Sequence, residues 1–338
     1  MTDPLRNARG CVIIETMISR TVSIKGVGKP AHRIFFGTAI PAMLQGGDAN
    51  GLISAAVEAG FNAIDTARGY AQAEESVARW IKESPGNRDR IVLLTKCCDM
   101  FGDRTQVVVT PERIRREMDE SLKALGTDHV DIFLLHRDDP SHPVSEYVET
   151  LEALRKEGKC LAYGGSNWRH DRLAEANAYA AAHGCQGMTL SSPHYGLAEQ
   201  VRDPWGGDCV TVTGSSMEAA RAWYRETRMP LLAYSSLGRG FFSGAFKSSD
   251  RAGAEKTLDE FARRGYLCDA NLKRLARAEE IAARHGVAVA TVAMAYLLTD
   301  QMNTLAVVGM SRPERIQANL KVFDFEFAPG ERESLAAI

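Results

Sequence analysis

The segment IDTARGY puts a carboxylate and a phenol five residues apart, at Asp65 and Tyr70. An ammonium closes the apolar run IVLLTK at Lys96, and an imidazole closes VDIFLLH at His136. These four groups together suit proton transfer to a carbonyl oxygen. A phenol with an ordinary pKa of about 10 is a poor acid or base near neutrality, and a desolvated lysine beside it favours phenolate and lowers that value. Lys96 is placed to do this. Asp65 would keep Lys96 charged and oriented, and His136 would donate a hydrogen bond to the substrate oxygen as negative charge develops there. Tyr70 would then protonate the alkoxide. Taken singly, Asp65 reads as a helix cap, Lys96 as a snorkelling lysine, His136 as a satisfied strand-end histidine and Tyr70 as a loop aromatic. Their joint occurrence at the ends of successive apolar runs favours chemistry, because perturbed titratable groups cluster where reactions happen.

Such a set needs elements that end side by side. Eight short, β-rich apolar runs begin at Ile34, Phe61, Ile91, Val130, Cys160, Met188, Pro230 and Thr304. Helical patterns separate them. In TPERIRREMDESLKALG, Thr110 can cap, Pro111 suits the first turn, Ile114, Met118 and Leu122 share a face, and Gly126 stops the helix. Ser145 to Glu157 and Arg312 to Phe323 repeat the logic. Alternation at roughly 30-residue spacing, with runs too apolar for half-exposed strands, predicts a parallel sheet covered by helices. Eight such units fit a closed (β/α)8 barrel over residues 1–338 as a single domain.

The competing doubly wound sheet usually carries a glycine fingerprint between its first strand and helix. GVGKPA, at Gly26 to Ala31, matches the letters, but Pro30 and the run at Ile34 follow where a helix should begin. It reads as the turn of an N-terminal β-hairpin. Two stretches, Leu197 to Gly214 and Gly238 to Leu267, are long enough to be loops over the barrel mouth.

Composition narrows the function. A chain of 338 residues with 45% hydrophobic and 25% charged residues and a net charge of −2 gives no electrostatic reason to expect nucleic acid or an anionic membrane. The expected partner is a small molecule. No apolar stretch approaches about 18 residues and no signal peptide opens the chain, so a cytoplasmic location is expected. Seven scattered cysteines without a C-x-x-C pair read as reduced thiols.

In a barrel of this kind reactive groups sit at the C-terminal strand ends. Besides Asp65, Lys96 and His136, the ends carry Ser166, Asn167, Ser192, Tyr234 and Ser235. One histidine and one carboxylate are too few for a metal site, so no metal is expected. No G-x-S-x-G elbow points to a serine hydrolase.

The chain resembles the aldo-keto reductase superfamily over nearly its whole length. DTARGY resembles the family's D-T-A-x-x-Y segment, LLTK its lysine strand and FLLH its histidine strand. The resemblance implies Asp65, Tyr70, Lys96 and His136 as a catalytic tetrad. GGSNW resembles the serine-asparagine pair that contacts the nicotinamide carboxamide, implying Ser166 and Asn167. AYSSLGRG resembles the loop along the pyrophosphate, implying Tyr234, Ser235, Leu237 and Gly238. GMSRPERIQAN resembles the segment that grips the adenosine 2′-phosphate, implying Ser311, Arg315 and Asn319, and with them NADPH/NADP+ rather than NADH. Where the family often has Gln three residues before a strand-six tyrosine, this chain has Ser192 before Tyr195, which implies a shorter or water-mediated contact to nicotinamide.

The implied activity is NADPH-dependent reduction of an aldehyde or ketone to the alcohol. A slow, NADPH-binding regulatory or redox-sensing subunit is the alternative. Phe101, Trp168 and Trp205, with Phe241, Phe242 and Tyr266, lie on segments expected to overhang the mouth, which predicts an aromatic or otherwise apolar carbonyl substrate.

Overall fold

The structure is a computed structural model that describes residues 18–99 and 108–337. Strands β1 (Thr21–Val22) and β2 (Ala31–His32) pair antiparallel, Thr21 opposite His32. The glycine-rich GVGKPA segment is therefore the connection of a hairpin. Gly26 there has φ +92°, and a Cβ on it would fall 2.6 Å from the carbonyl oxygen of Leu161.

Eight further strands follow: β3 (Ile34–Gly37), β4 (Ala63–Asp65), β5 (Val92–Cys97), β6 (Val130–Leu135), β7 (Cys160–Ser166), β8 (Leu190–Ser192), β9 (Leu231–Ala233) and β10 (Thr304–Val308). They close in chain order into one parallel barrel, β10 pairing with β3. Each of the eight apolar runs became one strand.

Helices cover the outside. The clearest predicted one forms over Pro111–Leu125: the Thr110 hydroxyl accepts from the Arg113 N–H at 3.3 Å, and Gly126 ends it in the left-handed region. Ile114 and Met118 are fully buried, Leu122 partly. The other two predicted helices form over Val144–Lys156 and Pro313–Leu320, the latter running into a 3-10 turn at Lys321–Asp324. The stretch from Gly238 to Leu267 departs from the loop expectation. It holds short helices Arg251–Thr257 and Glu260–Tyr266, each started by an aspartate, Asp250 and Asp259, whose carboxylate accepts a main-chain N–H of the first turn. Among the described residues no single helix is long and apolar enough to cross a membrane.

Two packed layers result. Outside the barrel, residues such as Phe36, Ile64, Leu93, Phe133 and Leu135 meet the helices. Inside, Phe35, Ala63, Leu94, Leu134, Ala162, Leu190, Leu232 and Leu305 fill the interior, and Val22, Ile24 and Ala31 of the hairpin close it from below. Side chains alternate in direction along a strand. The next inward positions up the barrel are therefore Gly37, Asp65, Lys96, His136, Ser192, Tyr234 and Val307, and these line one cavity together with Ser166, which stands one inward position above Gly164 on β7.

Close packing also dictates Gly164 in β7, where a Cβ would lie 1.9 Å from the Leu190 carbonyl oxygen. Gly164→Ala should lower stability by about 2 kcal/mol or more, through overpacking against main chain that cannot swing away. Gly51→Ala, in the helix Asn50–Glu58 with nothing within 4 Å of its Cβ, should raise stability by about 0.5 kcal/mol. Denaturant unfolding of the two variants against wild type checks both signs.

Candidate active site

The cavity opens at the C-terminal ends of the strands and measures about 620 Å3. At its floor the Lys96 Nζ lies 2.7 Å from Asp65 Oδ1 and donates to the Thr66 carbonyl at 2.9 Å. The same Nζ is 4.8 Å from the centre of the Tyr70 ring. Tyr70 meets His136 edge-on, with ring centres 5.7 Å apart. All four sequence-predicted groups thus share one wall.

The loop that carries Tyr70 is fastened by residues the sequence reading passed over. The Arg68 N–H donates to the Lys96 carbonyl at 2.9 Å, and its guanidinium donates to Glu74 at 2.7 Å. Glu74, itself buried, also accepts from the Thr95 hydroxyl at 2.6 Å. Arg68 and Glu74 are six residues apart on either side of Tyr70, a spacing with no recognisable motif.

Burial sets the proton affinities. It works against the Lys96 ammonium, but Asp65 and Tyr70 more than compensate, so the Lys96 pKa is raised and the group stays charged. Burial lifts the Asp65 carboxyl, with Lys96 opposing. For Tyr70 the expectation needs correcting: Lys96 does pull the phenol pKa down, yet burial first, and then Asp65 and Asp99, push it above its ordinary value. Tyr70 is held protonated. Burial drives His136 down to about 3, so its imidazole is neutral. Its Nδ1 stands 3.6 Å from Asp99 Oδ2 and has no hydrogen-bond partner among the described residues.

At the ends of β7, β8 and β9 the wall is made of neutral groups. Ser166 donates to the Ser192 carbonyl at 3.0 Å, and Ser192 donates to the Leu232 carbonyl at 2.8 Å. Asn167, at φ +58°, donates to the His136 carbonyl at 3.2 Å and accepts from the Tyr234 hydroxyl at 2.8 Å. Ser235 faces the cavity, and Ser235, Gly238 and Arg239 all take positive φ in one tight turn. Leu237 and Gly238 belong to that turn but are not on the cavity wall. Ser311, Arg315 and Asn319 are also off the wall, just past the cavity residue Gly309; Arg315 donates to the Ser311 hydroxyl at 3.3 Å.

The expected substrate aromatics fare differently. Trp205 lines the cavity, with the Arg239 guanidinium 5.3 Å from its ring. Trp168 does not: it is fully buried against Gly165 and Tyr147, and its Nε1 donates to the Arg137 carbonyl at 3.1 Å. It is packing beneath the site. Phe241, Phe242 and Tyr266 are likewise buried, and Phe101 lies outside the described residues. Four charged cavity residues escaped the sequence reading: Arg239 and Asp259, on the long segment after β9, and Asp99 and Arg137. The available signal for the last two was their place on the first turn beyond Lys96 and His136.

Titratable groups gathered at the C-terminal rim of a closed parallel barrel have the architecture of a (β/α)8 enzyme. The profile of the aldo/keto reductase family matches residues 33–338, and the chain belongs to that family of oxidoreductases. It is 29% identical over 311 residues to the aldo-keto reductase YhdN of Bacillus subtilis, covering 88% of this chain and 86% of that one. It is 26% identical to a putative voltage-gated potassium channel subunit beta of Schizosaccharomyces pombe, over 79% of this chain and 76% of that one. In fold it is similar to a glycerol dehydrogenase from Gluconobacter oxydans, with a TM-score of 0.74, 23% identity and 94% of each chain covered.

A histidine whose pKa falls on folding takes up its proton only in the unfolded chain, so stability is full above an unfolded pKa of about 6.5 and is lost as pH drops below it. His136, at about 3, and His194, also buried and at about 3, both act in this sense. The melting temperature should therefore fall between about pH 7 and about pH 5, and less steeply in His136→Gln. Thermal melts across that range check it, and equal slopes would contradict it.

Proposed function

We propose that the protein reduces an aldehyde or ketone to the alcohol with NADPH, Tyr70 acting as general acid. The observation that carries this reading is the convergence of Tyr70, His136 and the Asp65–Lys96 ion pair on one cavity wall. A raised pKa keeps the Tyr70 proton in place until a stronger base, the alkoxide, appears beside it. The Lys96 ammonium stabilises the phenolate left behind, and Asp65 holds that ammonium in position. His136, being neutral, donates a hydrogen bond to the carbonyl oxygen without competing for the proton. A neutral donor leaves Tyr70 as the acid.

The rest of the cavity suits a dinucleotide. Ser166, Asn167, Ser192, Tyr234 and Ser235 would hold the nicotinamide end, and the turn through Leu237 and Gly238 would follow the pyrophosphate. The helix N-terminus at Pro313, with Ser311, Arg315 and Asn319, offers main-chain N–H groups and a guanidinium to a 2′-phosphate. When bound, NADPH supplies the hydride, and the protein supplies position and the proton. The family match over residues 33–338 supports reading the chain as one domain.

The similarity to a putative potassium channel beta subunit favours a second reading, a slow NADPH-binding sensor. Turnover separates the two. NADPH oxidation with simple aldehydes should be measurable in the wild type and fall by about a hundredfold or more in Tyr70→Phe, with NADPH binding retained. A wild type that binds NADPH tightly but turns nothing over would support the sensor. Arg315→Ala should weaken NADPH binding about tenfold and leave NADH binding little changed. Fluorescence titration of both nucleotides reads this, and equal losses for the two would remove the 2′-phosphate role.

A further inference from the structure

Beyond β8 one carboxylate folds a loop for which the proton-transfer scheme has no use. Asp203 Oδ1 accepts the Trp205 and Gly206 N–H groups at 2.8 and 3.0 Å, and Oδ2 accepts those of Gly207 and Cys209 at 3.0 and 2.9 Å. Gly206 at φ +75° and Asp208 at φ +52° let the chain curl round it. Burial works against the Asp203 charge, but the N–H groups, those of Cys209 and Trp205 first, outweigh it and hold its pKa below the ordinary carboxylate value. Asp203 is not among the residues that line the cavity. The curl instead delivers the residue after it, Val210, to two that do. The Val210 N–H donates to Asn167 Oδ1 at 3.1 Å, and its carbonyl accepts from the Tyr234 hydroxyl at 3.3 Å and from the His194 N–H at 2.8 Å.

We propose that Asp203 is a positioning residue for the nicotinamide end of NADPH, acting through Val210 to fix which way the Asn167 amide faces. This rests on the NADPH reading above. A main-chain N–H can only donate, so the amide atom that meets it must be oxygen. The Tyr234 hydroxyl donates to the same oxygen at 2.8 Å. With Oδ1 held on that side, Nδ2 is turned toward β6 and β7, where it donates to the His136 carbonyl at 3.2 Å and the Ser166 hydroxyl oxygen at 3.3 Å, both long for such bonds. Tyr234 alone does not decide the orientation, because a hydroxyl could also accept from the amide. The Val210 N–H decides it: a flipped Asn167 would set two N–H donors against each other. Asn167 thus presents a donor to the cavity, which suits the carboxamide oxygen of nicotinamide, and the carboxylate that fixes Val210 keeps it so.

The test is Asp203→Asn, which keeps the shape and cannot keep the bonds. Whichever way the new amide turns, its NH2 replaces an oxygen that accepts two main-chain N–H groups. Calorimetric titration of the full chain compares NADPH with 2′,5′-ADP, which shares the phosphorylated adenosine and lacks nicotinamide. NADPH affinity should fall about tenfold and 2′,5′-ADP affinity by less than about twofold, a split that general loosening of the fold would not produce. Hydrogen exchange at the Val210 amide should quicken in the variant. In Asn167→Ala, adding Asp203→Asn should weaken NADPH by less than about twofold, because the route is already cut. Should Asp203→Asn not fold, Gly206→Ala strains the same curl, with only the end of Arg264 within 4 Å of the new Cβ, and should separate the two nucleotides in the same sense. Equal losses for the two nucleotides, unchanged NADPH binding, unchanged exchange at Val210 or full additivity with Asn167→Ala each overturn the proposal and leave the NADPH reading standing. A wild type that binds neither nucleotide removes that reading and the positioning role with it.

Discussion

A closed ring of parallel strands forces one face of every strand into an interior that must be filled, and the filling decides where polar groups can stand. Here the interior is packed by Phe35, Leu94, Leu134, Leu190 and their neighbours, and the hairpin residues Val22, Ile24 and Ala31 plug it from below. Two residues further up the strands, four on β7, the inward position reaches the open rim, and there the side chains become polar: Asp65, Lys96, His136, Ser166, Ser192 and Tyr234. Their polarity is tolerable only because one side is open, and their electrostatics are strong because the other side is dry.

The Asp65–Lys96 pair follows from this. Each charge alone would be penalised by burial; Asp65 helps to raise the Lys96 pKa, and Lys96 opposes the rise that burial imposes on Asp65. Such a pair adds little to net stability, while removing one partner costs about 3–5 kcal/mol, so it behaves as a unit. The same strand serves the loop above it. Lys96 points into the cavity, and its neighbour Thr95 points to the helix side and bonds Glu74, which grips Arg68. Alternation along β5 thus places the ammonium and anchors the loop that presents Tyr70 to it.

What could be read from the sequence was what alternation and capping control. Each of the eight apolar runs is a strand, and Thr110 and Gly126 bound their helix as their side chains dictate. What escaped depended on depth or on contacts distant in sequence. Nothing in the type of Trp168 tells it from Trp205; a space left by Gly165 and a carbonyl at Arg137 draw the first inside, while a loop wrapped around Asp203 leaves the second at the mouth. The sign of the Tyr70 shift was misjudged because adjacency to Lys96 is visible in a motif and the degree of burial is not. Asp250 and Asp259 were legible as caps, but two helices of seven residues are too short to show an apolar stripe. Asp99 and Arg137 were missed because the wall continues one turn past the strand ends.

The ring is also divided. At the strand ends, charged groups come from β4, β5, β6 and the turns after them, whereas β7, β8 and β9 present hydroxyls and an amide; the Arg239–Asp259 ion pair stands on the long segment beyond β9. On that second half the hydroxyl protons are already committed: Ser166 to the Ser192 carbonyl, Ser192 to the Leu232 carbonyl, Tyr234 to Asn167. The first two bonds tie β7 to β8 and β8 to β9, and the third joins the ends of β9 and β7, so the surface keeps its shape whether or not anything rests on it. Such a surface loses little hydration when a flat neutral ring settles against it, and the charged half loses much unless its ligand returns a hydrogen bond for each group it covers. The division therefore favours one orientation of a bound molecule, with an uncharged ring toward β7–β9 and a polar, hydrogen-bonding end toward Tyr70 and His136.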